Sequence, residues 1–182
     1  MVVGTIEGVD AVTTLLPLLL SGSMVASVGY CLSVRAAKAA EARAARREAA
    51  SKLTDVLEVL HDLVKRFGWV DLDQAEVVSA IATWSRESRR QTHLLPRPWR
   101  HVGRSVTSAA GEVFGGLALV SVRPDMGTVE LPEPDALWRA FVEDYLGLVH
   151  QAIVQWGTGG RATAPPDFDN WLRVTGRGAP AL

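Results

Sequence analysis

Cysteine is almost missing from this 182-residue chain, with Cys31 standing alone. One thiol cannot build an intramolecular disulfide framework or a thiolate metal cluster, which suits a reducing cytoplasmic face for most of the chain. No Lys or Arg precedes Arg35. A secretory signal peptide needs a basic segment ahead of its apolar run, so that reading fails here. A lipoprotein signal at Cys31 fits no better, because bulky Tyr30 precedes the cysteine and the charged flank follows it. Asparagine occurs once and lysine three times, against 16 arginines. That bias is expected of GC-rich codons and points to a bacterial source. No repeat of 20 to 50 residues is visible.

Catalytic signatures are missing as well. The chain has no Gly-x-Ser-x-Gly elbow, no Gly-x-x-x-x-Gly-Lys-Ser/Thr phosphate loop and no Gly-x-Gly-x-x-Gly after a strand. His61, His93, His101 and His150 have no acidic partner in a recognisable nucleophile motif. The sequence therefore nominates no catalytic residue and no cofactor. Glu58 and His61, three apart on one helix face, are the one pair that resembles metal ligands. A di-iron bundle needs two Glu-x-x-His motifs, and the second is absent. A solvated polar face is the simpler account of both residues.

What the chain does have is a run of 24 uncharged residues, 11–34, followed at once by a basic, alanine-dense stretch. A helix of about 20 apolar residues crosses a hydrocarbon core of about 30 Å, so the run predicts a single transmembrane helix kinked at Pro17. Residues 35–52 carry six basic side chains against Glu41 and Glu48, whereas Glu7 and Asp10 are the charged side chains before the run. Basic flanks stay cytoplasmic, which predicts an N-out, C-in protein of the inner (cytoplasmic) membrane. Within the run, Gly22, Ala26, Gly29 and Ser33 form a small-residue stripe suited to close pairing with another span. Residues 35–50 hold nine alanines and seven charges with no large apolar side chain, a pattern that predicts a solvated helical spacer.

From Leu53 the apolar spacing becomes i, i+3, i+4, i+7 through Leu57, Leu60, Val64 and Phe67. Gly68 ends that helix. A second helix is expected from Asp73, paired with Glu76 as a capping box, to about Leu94, where Pro96 and Pro98 stop it. The third runs from near Trp99 to Leu117 and carries Gly103, Thr107, Gly111 and Gly115 on one ridge, which permits close approach of a neighbour. Glu112 argues against a second span at 105–122. A short β-hairpin is an option near 117–131, around the turn-like 123–127 segment. Asp135 is a good N-cap for a fourth helix, with Leu137, Trp138, Phe141, Tyr145, Leu148, Val149, Ile153 and Trp156 on its buried side. Phe168, Trp171 and Leu172 predict one docked helical turn near the C-terminus.

The fold class is therefore all-α: an N-terminal transmembrane helix, a helical spacer, then a bundle of about four helices. The expected organisation is an extracytoplasmic 1–10, a span at 11–34, a spacer at 35–52, a cytoplasmic domain at 53–175 and a flexible tail at 176–182.

The densest unusual patch is Arg86, Arg89, Arg90, Arg97, Arg100 and Arg104, bracketed by Trp84 and Trp99. Arginine forks beside aromatics suit phosphate, nucleic acid or an acidic protein surface. The acidic side chains of 125–144 offer a partner within the chain, and pairing with them, or across subunits, is the first expectation. Trp99 and Trp171 are expected as surface anchors, Trp84, Trp138 and Trp156 as core. Taken together, the sequence predicts a single-pass membrane protein acting by protein–protein interaction, as a homo-oligomer or as a subunit or adaptor of a membrane complex. The partners are the bilayer and either itself or another membrane subunit. The first alternative is a membrane-tethered binder of an anionic ligand, nucleic acid or lipid headgroup, through residues 86–104. The second is an enzyme with an unrecognised site.

Overall fold

A computed structural model describes the backbone of residues 9–115, 131–160 and 162–177, with side chains from Ser33 onward. Five α-helices follow in order: α1 Val9–Arg66, α2 Gln74–Gln91, α3 Val102–Phe114, α4 Ala136–Gly157 and α5 Phe168–Val174. A 3-10 turn at Arg97–Trp99 precedes α3. Among the described residues there is no strand beyond an isolated bridge between Phe67 and Val70, so this part is all-helical, a bundle.

The chain divides into two compact units, Met1–Ala44 and Ala45–Leu182. In the first, the described side chains, 33–44, are almost all exposed on α1. The expected span at 11–34 and its stripe residues Gly22, Ala26 and Gly29 lie outside the described side chains, whereas Ser33 is exposed. Among the described residues no helix is long and apolar enough to cross a membrane. The hairpin expected near 117–131 also falls outside, apart from Leu131.

The second unit holds one hydrophobic core. Leu53, Leu57, Leu60, Leu63 and Phe67 point into it from α1, as their spacing requires. Each fully buried leucine contributes about 1.5–3 kcal/mol of transfer free energy. The core begins earlier than the first leucine: Ala49 and Ala50 are buried, and a Cβ placed on Gly157 would lie 2.5 Å from that of Ala50. Helix α4 crosses α1 at this point because neither helix has bulk there.

Caps set the helix starts. Asp73 accepts from the Ala75 N–H, Asp135 from those of Leu137 and Trp138, and Asp167 from that of Asn170. Glu76 does not complete a capping box; it pairs with Arg66 at 2.8 Å, and Arg66 also meets Asp62 at 2.9 Å. Helix α2 ends at Gln91, three residues short of Leu94, where Thr92 begins a run of turns toward Pro96. Helix α3 begins at Val102, after the 3-10 turn, and Gly115 caps it at φ +59°, a conformation that favours glycine.

The aromatic side chains sort differently from expectation. Trp99 is 2% exposed and packs with its ring centroid 6.1 Å from that of Trp156, and Trp171 is also buried, against Tyr145 and Phe168. Neither is a surface anchor. Their neighbours on the chain are loops and short turns, but those segments fold back onto the core and carry the rings inward. Leu137 and Leu148, expected inside, are exposed, because they sit at the edges of an apolar stripe wider than the contact α4 makes.

A buried hydrogen-bond chain joins α3, α4 and the approach to α5. The Tyr145 hydroxyl donates to the Pro166 carbonyl at 2.9 Å and so accepts from Ser105 Oγ at 2.7 Å. Ser105 Oγ in turn accepts the Phe168 N–H at 2.7 Å. Burial pushes the Tyr145 phenol up to about 12, so it stays protonated throughout the physiological range. Tyr145→Phe strands the Pro166 carbonyl and the Ser105 hydroxyl; it is expected to cost about 1–3 kcal/mol in urea unfolding of the full chain followed by circular dichroism. A cost below about 0.3 kcal/mol would show that the chain of bonds does not hold the C-terminal segment.

Candidate functional site

The six arginines do not act as one patch. Arg89 leaves the last turn of α2, Arg100 the 3-10 turn and Arg104 the first turns of α3, and these three converge on one groove between α2 and α3. Arg90 turns back toward Glu87 at 3.8 Å. Arg86 and Arg97 are exposed outside the groove, and Trp99 lies in the core.

Helix spacing explains the groove. Trp84 Nε1 donates to the Gly103 carbonyl at 3.0 Å, and a Cβ on Gly103 would meet Ser88 Oγ at 2.7 Å. Thr107, one turn along, faces Ser85 with hydroxyls 3.4 Å apart. The small ridge expected on α3 thus lets α2 come close at Gly103 and Thr107. Beside this contact, from Ser85 and Thr107 on toward the turns that follow α2, lies an open volume of about 320 Å³. Its wall has Ser88, Thr92 and Leu95 on one side and Gly103 on the other.

The hydroxyl hydrogens there are already engaged. Thr92 Oγ1 donates to the Ser88 carbonyl at 2.7 Å, Ser88 Oγ to Ser85 and Thr107 Oγ1 to Gly103. The donors left are guanidinium groups, and no carboxylate lines the groove. Among the described residues, Arg89, Arg100 and Arg104 form no ion pair. Within the chain the described acids do not supply the expected pairing: Asp135 caps α4, Asp144 binds Arg177 at 2.5 Å, and Glu133 and Glu143 form no ion pair among the described residues. Asp125 and Glu130 lie outside the described residues.

Glu58 and His61 are not brought to a shared ligand position. Glu58 Oε1 meets Nε2 of His150, on α4, at 3.0 Å, and Nε2 of His61 has no hydrogen-bond partner. Among the described residues no group of three His, Cys, Asp or Glu is placed to hold a metal.

A second surface feature escaped the sequence reading. The turn after α1 is tied to the start of α4, where Arg139 Nη1 donates to the Phe67 carbonyl at 2.8 Å and its guanidinium lies 5.1 Å from the Trp69 ring. Trp69 nevertheless remains 76% exposed, and its chain neighbour Val70 is exposed with it. The signal was a Trp directly after the glycine that ends α1, beyond the apolar stripe. A shallow apolar groove of about 410 Å³ also runs between α1 and α2 over Val56, Val59 and Ala80.

The fold and these surfaces define a helical bundle with an arginine-lined groove and an exposed aromatic corner. No protein-family model, curated protein or solved structure matches the chain.

Burial, with Lys65 adding to it, holds the His61 imidazole below its ordinary value of 6.5, while Glu143 pulls it up and His150 pushes it down. The neutral ring is favoured in the fold, so its contribution to stability is present above about 6.5 and is lost as pH falls through the lower folded value. The unfolding midpoint should drop between pH 7 and 5, and His61→Gln should flatten that slope. An identical slope in the variant would assign the acid sensitivity elsewhere.

Proposed function

We propose that this chain is a single-pass protein of the bacterial inner membrane, N-out and C-in, whose helical domain acts by protein–protein interaction. It works as a homo-oligomer or as a subunit or adaptor of a membrane complex. The uncharged run 11–34 with its basic flank supports the anchor. The observation that carries the interaction is the exposed indole of Trp69, with Val70 exposed beside it. A tryptophan with most of its surface in water, and with a cation over its ring, is the side chain most enriched among interface anchors. The apolar groove over Val56 and Val59 extends the surface available to a partner. The small-residue stripe Gly22, Ala26, Gly29 and Ser33 supports pairing of spans.

The test is site-specific photo-crosslinking in native membranes, with a photoreactive phenylalanine replacing Trp69 or, as control, Asp71. Position 69 is expected to yield a discrete adduct, with itself or with one other polypeptide, and Trp69→Ala should leave stability within about 0.5 kcal/mol of the parent. Release of the protein from membranes by alkaline carbonate would end the anchor reading. Equal labelling at both positions would end the interaction reading.

A further inference from the structure

We infer that the groove between α2 and α3 is a binding site for a phosphoryl group, held by Arg89, Arg100 and Arg104. This goes beyond the interaction reading and does not depend on it. Three arginines from three successive elements face one open volume of about 320 Å³, which lies at the small end of ligand sites. Like charges that line one volume repel, and with no carboxylate lining the groove the arrangement is relieved by water or by an anion. Arginine's planar fork gives paired, charge-assisted hydrogen bonds to phosphate oxygens.

The backbone favours the same ligand. Helix α3 starts at Val102 with no side-chain cap, and Gly103 and Arg104 of its first turn line the groove, so the positive end of the helix dipole adds to the guanidinium charge. The opposing end of α2 would repel an anion, but its last carbonyls are already occupied. Ser88 O accepts from Thr92 Oγ1, Arg89 O from the Thr92 N–H, and Gln91 O from Leu94 and Leu95. Because the hydroxyl hydrogens are engaged internally, the groove offers cationic donors to a group that carries acceptors and few donors of its own. A phosphoryl group has that character, whereas a sugar or an amide does not.

The phosphoryl group can come from a lipid headgroup or from a soluble phosphorylated compound, and the experiment separates the two. The full chain in phosphatidylcholine nanodiscs is titrated with inorganic pyrophosphate at constant ionic strength, by calorimetry. Saturable one-to-one binding is expected, weakened by about tenfold or more in Arg100→Gln/Arg104→Gln. Arg86→Gln/Arg97→Gln, which removes the same charge from outside the groove, should leave the affinity within about twofold. Arg89→Gln provides an independent groove variant should the first pair lose its helical circular dichroism. If phosphatidic acid in the disc abolishes pyrophosphate binding, the headgroup is the source; if binding persists, the ligand is soluble. Absence of saturable binding, or equal losses in the two double variants, would overturn the site.

Discussion

The bond between Ser105 and Tyr145 fixes how the bundle is assembled. Ser105 points from α3 toward α4 and the approach to α5, where its oxygen stands between the Tyr145 hydroxyl and the Phe168 N–H. On a helix of about 100° per residue, positions two away in either direction lie on the opposite side. Gly103 and Thr107 must therefore face away from Tyr145, and it is against Gly103 and Thr107 that α2 packs. One buried polar contact thus sets the rotation of α3, and through it both neighbours. Had α3 turned by one residue, Arg104 would have occupied the place of Ser105, among aromatic rings and without a carboxylate to meet it.

The same rotation places the arginines. Arg104 leaves α3 at the seam between its two packed faces, and Arg100 emerges from a 3-10 turn whose own Trp99 is held in the core. Trp99 and Arg100 are adjacent in sequence and opposite in fate, because a turn anchored by one ring against Trp156 must aim the next side chain outward. Arg89 has an ordinary reason to be where it is, since a cation in the last turn of α2 complements that helix end. Arg100 and Arg104 have no such reason. Their location near the positive end of α3 runs against the simplest electrostatics of a free surface, and an anion between them reverses the sign of that cost.

Much of the bundle was legible in the sequence because helix starts and core faces are local properties. Asp73 and Asp135 each cap the helix expected of them, and the leucines of α1 are buried at the spacing that announced them. The failures share one physical origin, which is contact across long stretches of chain. Glu58 reads as a neighbour of His61 but meets His150, far away in sequence. Trp171 reads as a surface anchor until Tyr145 supplies its wall. The arginine cluster read as a single charged patch, and its division into three groove residues and three others depends on where α2 stops and α3 turns. Composition shows that charge is dense there; it does not show which side of a helix carries it.

Residues 35–50 make the same point from the other direction. Nine alanines without a large apolar side chain predict a helix with nothing to bury, and for the exposed part of that stretch the expectation fits. At Ala49 and Ala50 it fails, because burial needs a matching surface and not necessarily bulk. Gly157 supplies that surface, and the absence of a Cβ there lets the backbones of α1 and α4 come together where any larger pair would separate them. A closer crossing increases dispersion contact along both helices and brings Leu53 and Ile153 fully into the core. An alanine-dense helix can therefore serve as a solvated stem and a packing face in succession, and the residue that decides where one becomes the other stands on a different helix.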